Sequence, residues 1–223
     1  SDGYSVVKTI QFQERRNLGN PITVAKIYNT RNVDEMILLD IDASKQHRSI
    51  DLFTIEEIAS ECFMPLSVGG GIRTIEDIRS VLSRGADKVV LNTIAVDDPE
   101  FIAKAASIFG SQCIVASVDI KMDQGKFHVY SRGKVINKDP FALIEQVQQL
   151  GAGEVFVTSV DRDGTMTHCE NEIINRVVPF LHIPLIYSGG VSCPADMVEP
   201  IKAGVSSVAA ASIFHFKIGR AHV

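Results

Sequence analysis

Residues 67–93 read SVGGGIRTIEDIRSVLSRGADKVVLNT: an apolar run broken by three glycines, an amphipathic segment closed by Gly85, and a second apolar run ending on Asn92-Thr93. Thr74 stands just ahead of the amphipathic segment with Asp77 three residues on, an arrangement in which short polar side chains satisfy the unpaired N–H groups of a first helical turn. The stretch is therefore a strand, a glycine turn, a helix and a strand. Packing gives no reason for three glycines in succession. They raise the question of what approaches that backbone so closely that side chains are excluded.

The same order returns in residues 187–212, YSGGVSCPADMVEPIKAGVSSVAAAS, where Gly204 stands 119 positions after Gly85. LLDIDAS (38–44) is likewise echoed by TSVDRDG (158–164). The full set of apolar runs is MILLDI (36–41), PLSVGG (65–70), KVVLNT (88–93), CIVASVD (113–119), EVFVTS (154–159), PLIYSGG (184–190) and VSSVAAAS (205–212). Such runs are too continuous to be half-exposed, and strands apolar on both faces imply a parallel sheet covered by helices. Their spacing, roughly 20 to 40 residues, leaves room for one crossover helix each. Asp98-Pro99 and Asp139-Pro140 each place an N-cap residue before Pro at a helix start. The longest excursion, Lys121 to Lys138, contains KFHVYSRGKVI, which reads as a hairpin turning near Arg132-Gly133.

Two matched halves of αβ units make an α/β (βα)8 barrel, the TIM-barrel architecture. We expect a single barrel domain over 1–223, with half-barrels at about 1–108 and 109–216. Seven runs are one short of a full barrel, and a helix-like segment, Pro21 to Asn29, precedes the first of them. The first barrel strand is therefore expected ahead of Ser1. The last helix is expected to be missing or replaced, since only FKIGRAHV follows the final run.

Composition narrows the function classes. With 223 residues, 45% hydrophobic and 22% charged, the chain can bury a large core, and no Pro- or Ser-rich linker interrupts it. No apolar run approaches the roughly 20 residues that span a bilayer, and SDGYSVVKTI is not a signal peptide, so a soluble cytoplasmic protein with no membrane association is expected. Cys62, Cys113, Cys169 and Cys193 show no CxxC spacing, which favours scattered thiols over a disulfide framework or zinc site. No metal and no cofactor are expected. A net charge of −5 argues against general nucleic-acid binding. It leaves open a local phosphate site built from backbone N–H groups.

In a (βα) barrel the chemistry sits at the C-terminal ends of the strands. The residues closing the runs are Asp40 and Asp42, Gly69 to Gly71, Asn92-Thr93, Asp119, Thr158 to Asp163, Ser188 to Gly190 and Ala211-Ser212. The small ones come in repeat-related sets: the triple glycine with Asn92-Thr93, and Gly189-Gly190 with Ala211-Ser212. Glycine loops expose N–H donors to a phosphate, and two equivalent sites imply a substrate with a phosphate at each end. The alternative is that the glycines only let strands turn tightly into helices. Among the acidic ones, Asp119 ends a fully apolar strand, where a carboxylate is costly unless paired or used, so it is a candidate general acid/base. Asp163 in DRDGT is another, though Asp-x-Asp-Gly is also ordinary turn chemistry. At the opposite face, Glu35, Lys88 and Glu154 open alternate strands and should converge near the axis, as an ion-pair plug or as a gate.

VGGGIRT, GADKVVLNT, FGSQ, GAGEVFVTSVDRDGT and AASIFHF together make the chain resemble, from about Asp2 to Phe216, the cyclase subunit of imidazole glycerol phosphate synthase, a histidine-biosynthesis (βα)8 barrel. The resemblance implies a lyase/cyclase acting on the bisphosphate PRFAR, with ammonia supplied by a glutaminase subunit docked on the N-terminal face as a heterodimer. Imine formation, ring closure and cleavage would give imidazole glycerol phosphate and AICAR. It matches Asp119 to one of two catalytic aspartates; Gly71, Asn92 and Thr93 to one phosphate site; and Asp163, Gly164, Gly190, Ala211 and Ser212 to the other. Thr158, Ser188 and Gly189 complete the expected substrate-binding set. Lys8 matches the lysine of a mobile first loop, and Glu35, Lys88 and Glu154 match three of four residues of an ammonia gate. In the family pattern the other catalytic aspartate and the fourth gate residue lie upstream of Asp2. The DIDAS and EEIASECFMPLS stretches also resemble a paralogous branch that channels ammonia to amidino-sugar assembly. A barrel that only binds phosphorylated ligands or a partner is the third reading.

Overall fold

The computed structural model describes residues 5–216; the resemblance at Asp2 and the stretch from Lys217 onward lie outside them. Seven parallel strands, β3 (Met36–Leu39), β4 (Leu66–Gly69), β5 (Lys88–Leu91), β6 (Ile114–Asp123), β9 (Glu154–Ser159), β10 (Leu185–Ser188) and β11 (Ser207–Ala209), coincide with the seven apolar runs. They pair in the order β11-β10-β9-β6-β5-β4-β3. The hairpin strands β7 (Lys126–Ser131) and β8 (Lys134–Ile136) extend β6 antiparallel, turning at Arg132-Gly133 as expected. The sheet curls, because residues from both of its ends pack on one inner cluster: Ile37 and Leu39 from β3 and Ala209 from β11 lie against Val90, Val115, Phe156 and Ile186. This is a TIM-barrel-like α/β fold.

The helices outside the sheet are α1 (Pro21–Thr30), α2 (Leu52–Glu61), α3 (Ile75–Ser83), α4 (Thr93–Asp97), α5 (Glu100–Phe109), α6 (Pro140–Gln149), α7 (Asn171–Val177), α8 (Val198–Ala203) and α9 (Ser212–Phe216). Thr74 and Asp77 form the reciprocal cap of α3: Asp77 N–H donates to Thr74 Oγ1 at 3.1 Å and Thr74 N–H to Asp77 Oδ2 at 2.9 Å. Asp139 caps α6 by accepting from Phe141 N–H at 2.9 Å. The start expected at Asp98-Pro99 differs: α5 begins at Glu100, and Asp98 contributes its carbonyl to Phe101 N–H at 3.1 Å. Asp98 is already committed to ending α4, its N–H bonded to Ile94 O at 2.8 Å. The Tyr28 ring of α1 meets Phe214 of α9 edge-on with centroids 5.7 Å apart, drawing the two ends of the sheet together.

Burial follows the two faces of each strand. Outward residues such as Val89, Leu91, Val155 and Val157 pack under Ile78, Ile102, Leu143 and Ile144 of the helices, all fully buried. Each such side chain contributes about 1.5–3 kcal/mol of hydrophobic stabilisation. Inward residues form layers with period two: Lys88, Val90 and Asn92 along β5, and Glu154, Phe156 and Thr158 along β9. A charged base, an apolar middle and a polar top follow from that alternation.

One element has no counterpart in the sequence reading. β1 (Val6–Ile10) and β2 (Glu14–Gly19) form an antiparallel ribbon with Lys8 opposite Arg16. It lies over the strand ends, its tip tied down by Gln11 N–H to Asp163 O at 2.9 Å. The four cysteines are free thiols. Among the described residues no helix is long and apolar enough to cross a membrane.

Candidate active site

A cavity of about 230 Å³ opens at the C-terminal ends of the strands. It brings together six of the expected residues, Asn92, Thr93, Asp119, Thr158, Asp163 and Ser188, with Ser44 and Arg132 from loops, Tyr130 from β7, and Thr9, Phe12 and Arg15 from the ribbon.

Asp119 stands on β6 opposite Thr158 of β9. Asn92 Nδ2 donates to Asp119 Oδ2 at 3.1 Å and also to the Ser117 carbonyl at 3.2 Å, so the amide pins the carboxyl to its own strand. Burial pushes the Asp119 carboxyl up to about 7, and the negative charge of Asp163 adds to the rise; hydrogen bonds from Asn92 and Thr158 pull the other way. Asp163 is raised as well, chiefly by burial, against the Thr9 hydroxyl at 2.8 Å, the Lys8 charge and a Phe12 backbone hydrogen bond. Two carboxyls thus share one cleft, and each resists ionisation chiefly because it is buried.

The small residues take up two positions. Gly71 N–H donates to Ser44 Oγ at 3.3 Å, and the Thr93 hydroxyl reaches the same oxygen at 3.4 Å. In the other half, a Cβ on Gly164 would stand 2.0 Å from the Thr9 carbonyl, and one on Gly190 2.0 Å from the His168 carbonyl. The second glycine set thus lies directly under backbone, part of it the ribbon. Lys8, Gly71, Gly164, Gly189, Gly190, Ala211 and Ser212 do not border the cavity in this structure. Ser212 is buried at the first position of α9, and Lys8 sits on β1, acting on Asp163 through its charge.

At the base, Glu35, Lys88 and Glu154 converge as expected: Lys88 Nζ lies 2.6 Å from Glu154 and 3.2 Å from Glu35. Burial alone would lower the Lys88 pKa, but hydrogen bonds and charge from both glutamates outweigh it and the net shift is upward. Its stabilising contribution therefore holds through neutral pH and is lost only as pH rises through the raised value. Lys88→Met leaves Glu154, 18% exposed, without its partner and is expected to cost about 2–3 kcal/mol, read as a lower urea midpoint at unchanged slope. Adding Glu154→Leu should recover most of that loss.

Several cavity residues carried no sequence signal. Arg15 grips Asp42 with both terminal nitrogens, at 2.6 and 2.5 Å. The Phe12 ring lies 6.0 Å from that of Tyr130, and Arg132 pairs with Asp97 beside α4. Thr9, Phe12 and Arg15 belong to a polar ribbon without apolar periodicity. The hairpin carrying Tyr130 and Arg132 was legible, but not that it folds over the cavity.

A curled parallel sheet whose cavity and raised carboxyls lie at the strand C-termini defines a barrel of the kind that carries its chemistry on that face. Residues 1–220 match the histidine biosynthesis protein family, and the chain belongs to that family. It is also 47% identical over 211 residues to a Campylobacter jejuni protein provisionally named imidazole glycerol phosphate synthase subunit hisF2, a match covering 95% of this chain and 85% of that protein.

Proposed function

We propose that the chain is the cyclase subunit of an imidazole glycerol phosphate synthase, converting PRFAR and ammonia from a glutaminase partner into imidazole glycerol phosphate and AICAR. The observation that carries this reading is Asp119, a carboxyl raised to about 7 and held by Asn92 and Thr158 beside Asp163 in the strand-end cavity. A group half-protonated near neutral pH gives a proton to the oxygen leaving the ribulosyl carbonyl as the imine forms, and takes one from nitrogen as the ring closes. Gly71, Asn92 and Thr93 border one phosphate. Asp163, Gly164, Gly190, Ala211 and Ser212 border the other, with Lys8, Thr158, Ser188 and Gly189 beside it. Uncharged ammonia enters at the base past Lys88, Glu154 and Glu35, where the partner docks, and crosses the apolar layer of Val90, Val115, Phe156 and Ile186. That layer favours ammonia over ammonium, because an unpaired charge is costly there.

The test is to mix the full-length protein with PRFAR and an ammonium salt and follow the loss of PRFAR absorbance. Turnover without glutaminase is the expected result, and its absence would overturn the reading. The paralogous reading, an ammonia-channelling subunit for amidino-sugar biosynthesis, is favoured by one observation: Arg15 at the cavity is held by Asp42 of the DIDAS stretch, not directed at a phosphate. Stimulation of a glutaminase with no PRFAR loss would decide for it.

A further inference from the structure

We infer that Ser44 is a further phosphate-binding residue, its hydroxyl donating to the phosphate at Gly71 and Thr93, and that the pairing of buried Asp40 with the partly exposed Arg48 positions it there. The inference rests on the proposed phosphate site at Gly71, Asn92 and Thr93. Ser44 borders the cavity, where its oxygen accepts from Gly71 N–H at 3.3 Å and from the Thr93 hydroxyl at 3.4 Å. Among the described residues its own O–H proton meets no acceptor. Two donors directed at one hydroxyl oxygen polarise its O–H bond, making it a stronger donor to an anion. An oxygen of a phosphate monoester in the cavity beside Ser44 completes that chain.

The loop holding Ser44 is built around Asp40. This carboxylate, 4% exposed, accepts from the Asp42 and Ala43 N–H groups, both at 3.1 Å, and from the Arg48 guanidinium at 2.6 and 3.0 Å. Its charge is thereby matched within the loop and does not oppose an incoming dianion. The loop also presses on the site glycine: a Cβ at Gly71 would lie 2.6 Å from the Arg48 carbonyl and 2.8 Å from Ala43 Cβ. A larger residue at Gly71 would therefore disturb folding and binding together. Ser44 separates the two.

The experiment is a titration of the full-length protein with inorganic phosphate, followed through the amide resonances of Gly71 and Thr93. Ser44→Ala is expected to weaken binding about tenfold or more, the loss of one hydrogen bond to a charged group, in a protein that stays folded at the temperature of the titration. Ser44→Thr, which keeps the hydroxyl, should restore affinity to within about twofold of the original. Arg48→Lys, which keeps the charge beside Asp40 but loses the two-nitrogen grip, should weaken binding in the parent protein and add nothing in the Ser44→Ala background. Equal affinity in the parent and Ser44→Ala, or failure of Ser44→Thr to restore it, overturns the hydroxyl role. Additive losses with Arg48→Lys overturn the positioning role. A parent protein whose Gly71 amide ignores phosphate removes the underlying site and the inference with it.

Discussion

Asp119→Asn is expected to cut ammonia-dependent turnover by roughly 10²–10⁴-fold while making the protein more stable above neutral pH. Both effects come from one property. Burial and the neighbouring Asp163 charge raise the Asp119 carboxyl from an ordinary 3.8 to about 7. The folded state therefore binds this proton more tightly than the unfolded chain, and its stability falls as pH rises between those two values. Across that window the cost is on the order of 4 kcal/mol, since each tenfold difference in proton affinity between folded and unfolded chain is worth about 1.4 kcal/mol. An amide of the same shape cannot ionise, and its oxygen still accepts from Asn92. The variant should unfold at higher urea concentration than the parent at pH 8 and at a similar concentration at pH 4. A catalytic loss with identical pH–stability curves would mean that the carboxyl ionises as freely folded as unfolded.

Gly190→Ala is expected to destabilise the fold by about 3 kcal/mol or more, whereas Gly133→Ala should cost about 1 kcal/mol. Both glycines have left-handed backbones, at φ +87 and +81. Their surroundings differ: around Gly133 nothing lies within 4 Å of an added Cβ, while at Gly190 it would stand 2.0 Å from the His168 carbonyl and 3.2 Å from Arg162 Cβ. His168 has little freedom to retreat. Its N–H donates to Gly190 O at 2.8 Å, its ring lies 2.7 Å from Asp196, and its own φ is +73. Urea midpoints of the two variants compare strain with and without crowding. Equal losses would show that the contact at Gly190 contributes nothing.

The barrel was legible because its strands announce themselves twice. Runs such as KVVLNT and EVFVTS are buried on both faces, and the glycine turns repeat from one half to the other. The ribbon β1–β2 was hidden for the opposite reason. ERRNLG is polar and largely exposed, and the tip residues Gln11 and Phe12 adopt left-handed φ values of 51 and 59 without the Gly or Asn that signals such a turn. Contacts to Asp163 and Asp161, distant in the chain, hold that tip in place. Asp119 stood out because it ends an apolar strand. Asp40 and Asp42 were visible as strand-end acids, yet their partners Arg48 and Arg15 lie eight and 27 residues away, and only the folded loop identifies them. Asn92 was legible as a strand-end residue beside a glycine turn; that its side chain belongs to Asp119 depends on the pairing of β5 with β6.

The acid/base role proposed for Asp119 turns on whether its carboxyl keeps a proton near neutral pH. A titration of the Asp119 carboxyl carbon by NMR in selectively labelled protein measures this. A midpoint near 7 is expected, displaced downward when Asp163 is replaced by Asn and its charge is removed. A midpoint near 4, where an ordinary aspartate titrates, would leave Asp119 fully ionised at neutral pH and rule that role out.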